Sequence, residues 1–273
     1  MHELQIDVVC ATFFISIIIR HKSVKHRASE RVWKMSFIAT AVTDVGIEKK
    51  RNQDSLSLKI AYSPWGMVCM AVLCDGLGGL EQGEVASGNV VLAFNKWFEE
   101  EFLKADSEWT EEQIRNSWEK LIRYMNDKIK EYGLKKRIEL GTTVTAVMFI
   151  KDRYYVMHIG DCRLYEINRT CRQITQDQTL IEKENILLQC VGVTNKLMPS
   201  FICQKTVPNA SYLLCSDGFR HVITEKEIFD SCNPINNTLQ KTMQDNLQNL
   251  VEINKQRGER DNISAILIRV GNV

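Results

Sequence analysis

The amino-acid sequence predicts an α+β fold in which antiparallel sheets are covered by helices. Apolar, β-branched segments follow one another as meanders, whereas amphipathic segments come as long separate blocks. A βαβ array would instead place a helix between successive strands. The chain has 273 residues, 44% hydrophobic and 25% charged, which suits one domain with a sizeable core.

The strands are predicted from apolar runs that end at turn residues. The run 67–74 is apolar almost without interruption, as is typical of a strand buried on both faces. Tight turns are expected near Gly46 and at Gly160-Asp161. In order, we expect strands at 37–42, 56–61, 67–74, 142–150, 154–159, 162–167, 212–215 and 263–270.

The helices are predicted from capping residues and from apolar periodicity. A helical pattern covers 81–103, and Thr110 with Gln113 resembles a capping box before a second helix. Thr224 with Glu227 repeats the box, and a long amphipathic helix follows around 239–251. One face of the second helix carries apolar side chains, namely Trp118, Leu121, Ile122, Met125 and Ile129.

Charge and cysteine content exclude several classes of protein. The net charge of +1 and the pI near 7.5 do not favour a nucleic-acid partner. The nine cysteines are scattered, which argues against a zinc ribbon or a secreted disulfide framework and for reduced, buried thiols. No cysteine has an arginine six residues later, so a cysteine-based phosphatase loop is excluded.

Residues 1–34 are assigned separately from the domain at 35–273. They contain an apolar run at 8–19 and then a basic stretch, with six Lys/Arg against three Asp/Glu. The run is shorter than the roughly 20 apolar residues that span a bilayer. Three interpretations stay open: a membrane anchor through residues 8–27, a docking helix, or an untranslated stretch with Met35 as the true start.

Four aspartates share one setting, at the end of a predicted strand. Asp75 and Asp217 each follow an apolar strand and precede a glycine, while Asp54 and Asp261 each come just before a strand. Carboxylates on rigid strand ends make a hard-oxygen site that suits Mg²⁺ or Mn²⁺. One Asp-Gly alone predicts only a turn, but four such positions favour a metal site.

Seven short motifs follow one another across about 36–271, namely TDVG (43–46) with NQD (52–54), LCDGLGG (73–79), GEVAS (83–87), GTT (141–143), GDCR (160–163), SDG (216–218) and RDN (260–262). Through these motifs, which stand in the family's order, the chain resembles the metal-dependent, 2C-type protein serine/threonine phosphatases. Leu77 stands where animal members have a histidine and bacterial members an apolar methionine, so the resemblance is to the bacterial branch.

This resemblance implies a four-layer α-β-β-α sandwich of two antiparallel sheets, with two Mn²⁺ or Mg²⁺ ions at one end. Asp75 would bridge the two ions, and Asp217 and Asp261 would bind the first. No side chain would become phosphorylated, because water activated by the two metals is the implied nucleophile.

The remaining implied ligands belong to the second ion and to a weaker third ion. The carbonyl of Gly76 would bind the second ion, and Asp54 would hold its waters. Asp161 matches a position that contributes to the third ion in bacterial members. Lys49, three residues after Gly46, stands at the position of the family's phosphate-binding arginine and offers a point charge instead of a bidentate fork. Arg51 is an alternative, and a solvated charge run is a third interpretation.

The favoured function is hydrolysis of phosphoserine and phosphothreonine in proteins, opposing a serine/threonine kinase. The alternative is a catalytically weak phosphoprotein-binding pseudophosphatase, which the replacement at Lys49 favours. We expect a cytoplasmic monomer whose partners are phosphoprotein substrates and a cognate kinase. A membrane-tethered enzyme is the alternative location.

Overall fold

The computed structural model describes residues 13–18, 35–77, 82–181 and 183–272. In it, two β-sheets pack face to face and helices cover the outer face of each sheet. This arrangement confirms the predicted α+β sandwich with four layers. Strands and helices are numbered below in chain order.

The first sheet has six strands in the order β1-β3-β4-β5-β6-β11. All neighbouring pairs are antiparallel except β1 with β3, which is parallel. Its strands are β1 (Phe13–Ile18), β3 (Ser55–Ser63), β4 (Gly66–Cys74), β5 (Val144–Ile150), β6 (Arg153–Ile159) and β11 (Ser200–Lys205).

The second sheet has five strands in the order β2-β13-β12-β7-β8, and every pair is antiparallel. A separate two-stranded hairpin, β9 (Thr179–Leu180) with β10 (Lys183–Leu187), stands apart from both sheets. The strands of the second sheet are β2 (Met35–Asp44), β7 (Arg163–Ile167), β8 (Cys171–Gln173), β12 (Ser211–Cys215) and β13 (Ile263–Asn272).

Within the described ranges, five α-helices accompany the sheets, and both predicted capping boxes are present, at Thr110 and at Thr224. In each box the threonine side chain and the third helical residue satisfy each other's exposed backbone N–H groups. The last turns of the first helix continue as a π-helix over Phe98–Phe102. The helices are α1 (Gly83–Trp97), α2 (Glu111–Lys136), α3 (Asp217–Arg220), α4 (Glu225–Cys232) and α5 (Gln240–Gln256).

Three apolar layers hold the sandwich together. One lies between the first sheet and α1 with α2, one lies between the sheets, and one lies between the second sheet and α4 with α5. Between the sheets, the fully buried ring of Phe149 meets that of Tyr212 edge-on at 4.8 Å. Such aromatic pairs add stability beyond the area they bury. The sheets therefore have a fixed relative position, which sets where their strand ends meet.

The predicted strands and helices are all present, with ends that differ by a few residues. The short strands β8, β9, β10 and β11 were not predicted, and neither were β1 and the single-turn helix α3. Short or partly polar strands lack the apolar run or the clean alternation that reveals a strand. β8 pairs with β7 and β11 with the edge of β6, whereas β9 and β10 pair with each other.

Only a small part of the N-terminal segment is described. Residues 13–18 form β1 beside β3, and the rest of residues 1–34 lie outside the described residues. Among the helices of the described ranges, none combines the length and the apolar character needed to cross a bilayer. The assignment of residues 1–34 stays a prediction.

Replacing Phe149 by alanine should lower the free energy of unfolding by about 3–5 kcal/mol, because it opens a cavity between the sheets. Urea or thermal unfolding would measure the loss. Leu134→Ala is the control, since that side chain is 82% exposed and its loss should change stability by less than about 0.5 kcal/mol. Equal stability of the two variants would contradict the central position of Phe149.

Candidate metal centre

Five aspartates gather at one end of the sandwich: Asp54, Asp75, Asp161, Asp217 and Asp261, called here the acidic cluster. They come from the ends of strands in both sheets. Their proximity is evident from charge, because neighbouring carboxylates of the cluster help to raise the pKa of Asp54, Asp75 and Asp161. The structure thus brings together every aspartate that the sequence analysis assigned to the metal site.

Asp75 sits where β4 ends, and its backbone is held on both sides. Its N–H donates to the hydroxyl of Thr143 at 2.9 Å. Its carbonyl accepts from the Thr143 N–H and from the hydroxyl of Thr142, each at 2.8 Å. Burial, and then the charges of Asp54 and the other carboxylates, raise the pKa of Asp75 well above its usual range. A nearby cation would relieve this repulsion.

Gly76 lies where two backbone segments pack too closely for a side chain. A Cβ at this position would lie 2.5 Å from the Gly83 carbonyl and 2.7 Å from the Gln53 carbonyl oxygen. The Gly76 N–H donates to that same Gln53 carbonyl at 3.1 Å. The glycine therefore lets the start of α1 approach the acidic cluster.

Asp217 follows β12 as the first residue of α3, Asp261 precedes the adjacent strand β13, and their turns pack against each other. A Cβ on Gly218 would lie 2.3 Å from the Asn262 carbonyl oxygen and 3.2 Å from the Asp261 Cβ. Each carboxylate also accepts a backbone N–H from the next residue, Gly218 at 2.6 Å and Asn262 at 2.7 Å. The two side chains are thereby anchored at their own turns.

Asn262 fixes the loop between β2 and β3 against this turn. Its side-chain amide donates to the carbonyls of Val45 and Arg51, and its oxygen accepts the Gln53 N–H at 2.8 Å. The loop therefore has a defined position beside the acidic cluster. This clamp explains why Asp54, which ends the loop, reaches the cluster.

Asp54 is 2% exposed, and neither of its carboxylate oxygens has a hydrogen-bond partner of normal geometry. Burial, together with the charges of Asp217 and Asp261, raises its pKa to about 7, although the hydroxyls of Ser264 and Ser216 oppose part of the rise. Burying a carboxylate without a hydrogen-bond donor at normal geometry costs free energy, and a bound cation would offset this cost.

Asp161 lies beyond β6, after the turn at Gly160, and it is 8% exposed. Burial and the charge of Asp217 raise its pKa to about 6, while the guanidinium of Arg220 opposes the rise. Arg220 also pairs with Asp177 at 3.2 Å. The guanidinium of Arg220 therefore lies close to the acidic cluster on the side of Asp161.

Lys49 points into the acidic cluster, with its Nζ 3.0 Å from an Asp261 oxygen. Burial lowers its pKa, but the bond to Asp261 and the charges of Asp75 and Asp217 outweigh that effect and raise it. Arg51 instead pairs with Glu84, at 2.7 Å, and its side chain is 72% exposed. Of the two cations considered from the sequence, Lys49 is the one at the cluster.

The residues present fit a hard divalent cation. The candidate ligand atoms are all oxygen, the type that such a cation prefers. The two carboxylate oxygens of Asp54 are buried without a hydrogen-bond partner of normal geometry, and the carboxylates repel one another. Within residues 35–77, 82–181 and 183–272, no three His, Cys, Asp or Glu side chains converge as a ready-made cage. The detailed ligand set therefore stays a prediction.

Two residues at the site were missed by the sequence analysis, His221 and Glu259. His221 Nε2 is 3.5 Å from an oxygen of Asp217, and its Nδ1 is 3.5 Å from an oxygen of Glu259. The available signal was spacing, because a residue four positions after a helical aspartate lies on the same face. By contrast, His158 is a packed core residue, because it is buried and hydrogen-bonded to Thr145.

The segment 176–208 contains the β9–β10 hairpin and then returns to the first sheet as β11. Gln178 ties its start to the turn before the acidic cluster, since its side-chain oxygen accepts the Gly160 N–H at 3.0 Å. Ile181, at the tip of the hairpin, is 98% exposed. The start of the segment is thus attached next to the cluster, and the tip of its hairpin is exposed to solvent.

The family of the chain follows from a model match over residues 47–252, described as protein phosphatase 2C. Since this match covers most of the chain, the chain belongs to the protein phosphatase 2C family. This confirms the resemblance drawn from the sequence motifs.

Individual relatives have low sequence identity to this chain. The serine/threonine phosphatase stp of Listeria welshimeri is 25% identical over 221 residues, covering 73% of this chain and 83% of the relative. Stp1 of Staphylococcus aureus has a TM-score of 0.73 at 22% identity, covering 89% of this chain and 99% of Stp1. The catalytic domain of PstP with two manganese ions has a TM-score of 0.70 at 23% identity, covering 87% of this chain and all of that domain.

In metal-free protein, the free energy of unfolding should fall as the pH rises from about 4 to about 7. The unfolded chain releases the Asp54 proton near its usual pKa of 3.8, whereas the folded protein holds it up to about 7. Folding therefore binds protons in this range, and its stabilising effect is lost at higher pH.

Urea unfolding in EDTA across that pH range measures the slope. Asp54→Asn should flatten it, whereas Asp230→Asn, at an exposed position on α4, should leave it unchanged. A slope of opposite sign in the wild type, or the same slope in Asp54→Asn, would contradict the position assigned to Asp54.

Proposed function

We propose that this chain hydrolyses phosphoserine and phosphothreonine in proteins, in a reaction that depends on two Mn²⁺ or Mg²⁺ ions at the acidic cluster. The observation that carries the proposal is the buried carboxylate of Asp54. It lies with four other aspartates in the acidic cluster and has no hydrogen-bond partner of normal geometry. Membership of the protein phosphatase 2C family and the phosphatase names of the relatives support the reaction class.

The metal ions would be held by side chains and one backbone carbonyl from both sheets. Asp75 would bridge the two ions, Asp217 and Asp261 would complete the first position, and the Gly76 carbonyl with Asp54 would serve the second. Asp161 is the candidate for a weaker third position. When bound, two such ions neutralise phosphate charge and lower the pKa of water enough to supply the attacking nucleophile.

The chain's own residues would orient the phosphate and keep the metal ligands in place. Lys49 would neutralise a phosphate oxygen as a point charge, because its ammonium already faces the cluster. Thr142 and Thr143 would keep the Asp75 backbone fixed while substrate binds. Arg220 would offset negative charge on the side of Asp161.

The biological setting is proposed from the reaction. A protein phosphatase of this type needs phosphoprotein substrates and a serine/threonine kinase that makes them. The eight cysteines within the described ranges are free thiols, which supports a reducing compartment such as the cytoplasm. A monomer remains our expectation, and membrane contact would involve residues 8–27.

One observation favours the rival function, a phosphoprotein-binding domain with weak turnover. The Lys49 ammonium is 3.0 Å from an oxygen of Asp261, a predicted ligand of the first ion, and so competes with a cation there. A tight competition would lower metal occupancy and slow hydrolysis. Turnover and metal affinity together decide between the two functions.

Asp75→Asn should abolish metal-dependent hydrolysis of p-nitrophenyl phosphate and of a phosphothreonine peptide, because the bridging charge is lost. In the wild type, Mn²⁺ should support the reaction and EDTA should remove it. Asp230→Asn, which changes an exposed carboxylate on α4, should keep full activity. Mn²⁺-dependent turnover by Asp75→Asn at the wild-type rate would refute the assignment of the site.

Lys49→Met should raise KM for the phosphothreonine peptide by about tenfold, in keeping with loss of one charge-assisted contact. The matched control is Lys50→Met, because Lys50 is the next residue and is exposed. Steady-state kinetics at saturating Mn²⁺ would separate the effect on KM from that on kcat. Equal effects of the two substitutions would show that Lys49 is part of a solvated charge run.

A further inference from the structure

His221 and Glu259 connect two of the predicted metal ligands. His221 follows α3, four residues after Asp217, and its ring lies between two carboxylates. Its Nε2 is 3.5 Å from Asp217 Oδ2, and its Nδ1 is 3.5 Å from Glu259 Oε2. The ring thus bridges the turn after β12 and the turn before β13.

Glu259 is a buried carboxylate with a second task. Its side chain is 7% exposed, and its Oε1 accepts the backbone N–H groups of Arg260 at 2.8 Å and Asp261 at 2.9 Å. These bonds shape the backbone that carries the Asp261 side chain. One carboxylate therefore acts directly on the turn of Asp261 and, through His221, on the side chain of Asp217.

The contacts at Asp217 define how its carboxylate is turned. Oδ1 accepts the Gly218 N–H at 2.6 Å, and Oδ2 faces His221. Each carboxylate oxygen has two lone pairs, so both contacts leave acceptor capacity for a cation. Without the ring, rotation about the Cβ–Cγ bond would be opposed from one side only.

We propose that His221 and Glu259 form a positioning pair that holds Asp217 and Asp261 in the orientation required for cation binding. This inference rests on the proposed function, because it assumes that the acidic cluster binds Mn²⁺ or Mg²⁺. Partners that orient metal ligands commonly contribute 10–100-fold to metal affinity. The pair acts through the ligands and does not touch the substrate.

Isothermal titration calorimetry of the full chain with Mn²⁺ tests the proposal, with thermal unfolding in EDTA as a measure of fold. His221→Ala should weaken Mn²⁺ binding by about 10–100-fold while the Tm in EDTA stays near that of the wild type. His221→Gln places an amide nitrogen near the former Nε2, so it should recover part of the affinity. Glu259→Gln keeps the Oε1 acceptor and should weaken binding through loss of the His221 contact.

Two further variants make the test specific. The double variant His221→Ala/Glu259→Gln should bind Mn²⁺ no more weakly than His221→Ala, because the two residues act as one unit. Arg257→Ala is the matched control, since Arg257 bonds the Val222 carbonyl and Glu227 and so links the same two segments away from the acidic cluster. It should leave Mn²⁺ affinity unchanged.

The outcomes separate this inference from the proposed function. Wild-type protein that binds no Mn²⁺ would overturn both. Wild-type binding with an affinity within twofold in His221→Ala, or an equal loss in Arg257→Ala, would overturn the positioning pair alone. Should His221→Ala fail to fold, His221→Gln and Glu259→Gln carry the same test.

Discussion

Mutual repulsion among buried carboxylates is the constraint on which this end of the molecule depends. Asp54, Asp75 and Asp161 all have a raised pKa, with burial as the first cause and neighbouring carboxylates as the next. Burying like charges is among the most expensive arrangements in a protein, unless a cation accompanies them. The chain tolerates the cost because the rest of the sandwich is well packed, and the cationic side chains of Lys49 and Arg220 lie beside the cluster.

The two sheets make this concentration of charge possible. A strand end is a rigid position, and the apolar layer around Phe149 fixes the sheets relative to each other. The turns at the strand ends then approach so closely that Gly76 and Gly218 have no room for a side chain. The glycines and the aspartates are thus two parts of one arrangement: the former allow the backbones to meet, and the latter supply the charge.

The thiols beside the acidic cluster are unsuited to act as nucleophiles. Cys74 and Cys162 are next to Asp75 and Asp161 in the chain, yet both are fully buried and the pKa of each thiol is raised well above its usual value, first by burial. A thiol in such surroundings stays protonated and unreactive. These cysteines therefore serve as small apolar side chains behind the acidic cluster.

The central strands, the capped helices and the aspartates at strand ends were predictable from the amino-acid sequence alone, because each has a local signal. An apolar run, a capping box and an Asp-Gly pair are all readable within a few residues. The family motifs added the predicted roles of Asp54, Asp75, Asp161, Asp217 and Asp261. The structure then brought these five residues together at one end of the sandwich.

Other features depend on contacts between residues distant in the chain, and they are defined only in the folded protein. The half-exposed strand β11 pairs with the edge of β6, a partner far away in the chain that no local pattern reveals. The positions of Lys49 and Arg51 were open in the sequence; in the structure Asn262 clamps their loop, Lys49 pairs with Asp261 and Arg51 pairs with Glu84. Likewise, the bridge from Asp217 through His221 to Glu259 exists because β12 and β13 are neighbours, since residues some forty positions apart meet only when the sheet has formed.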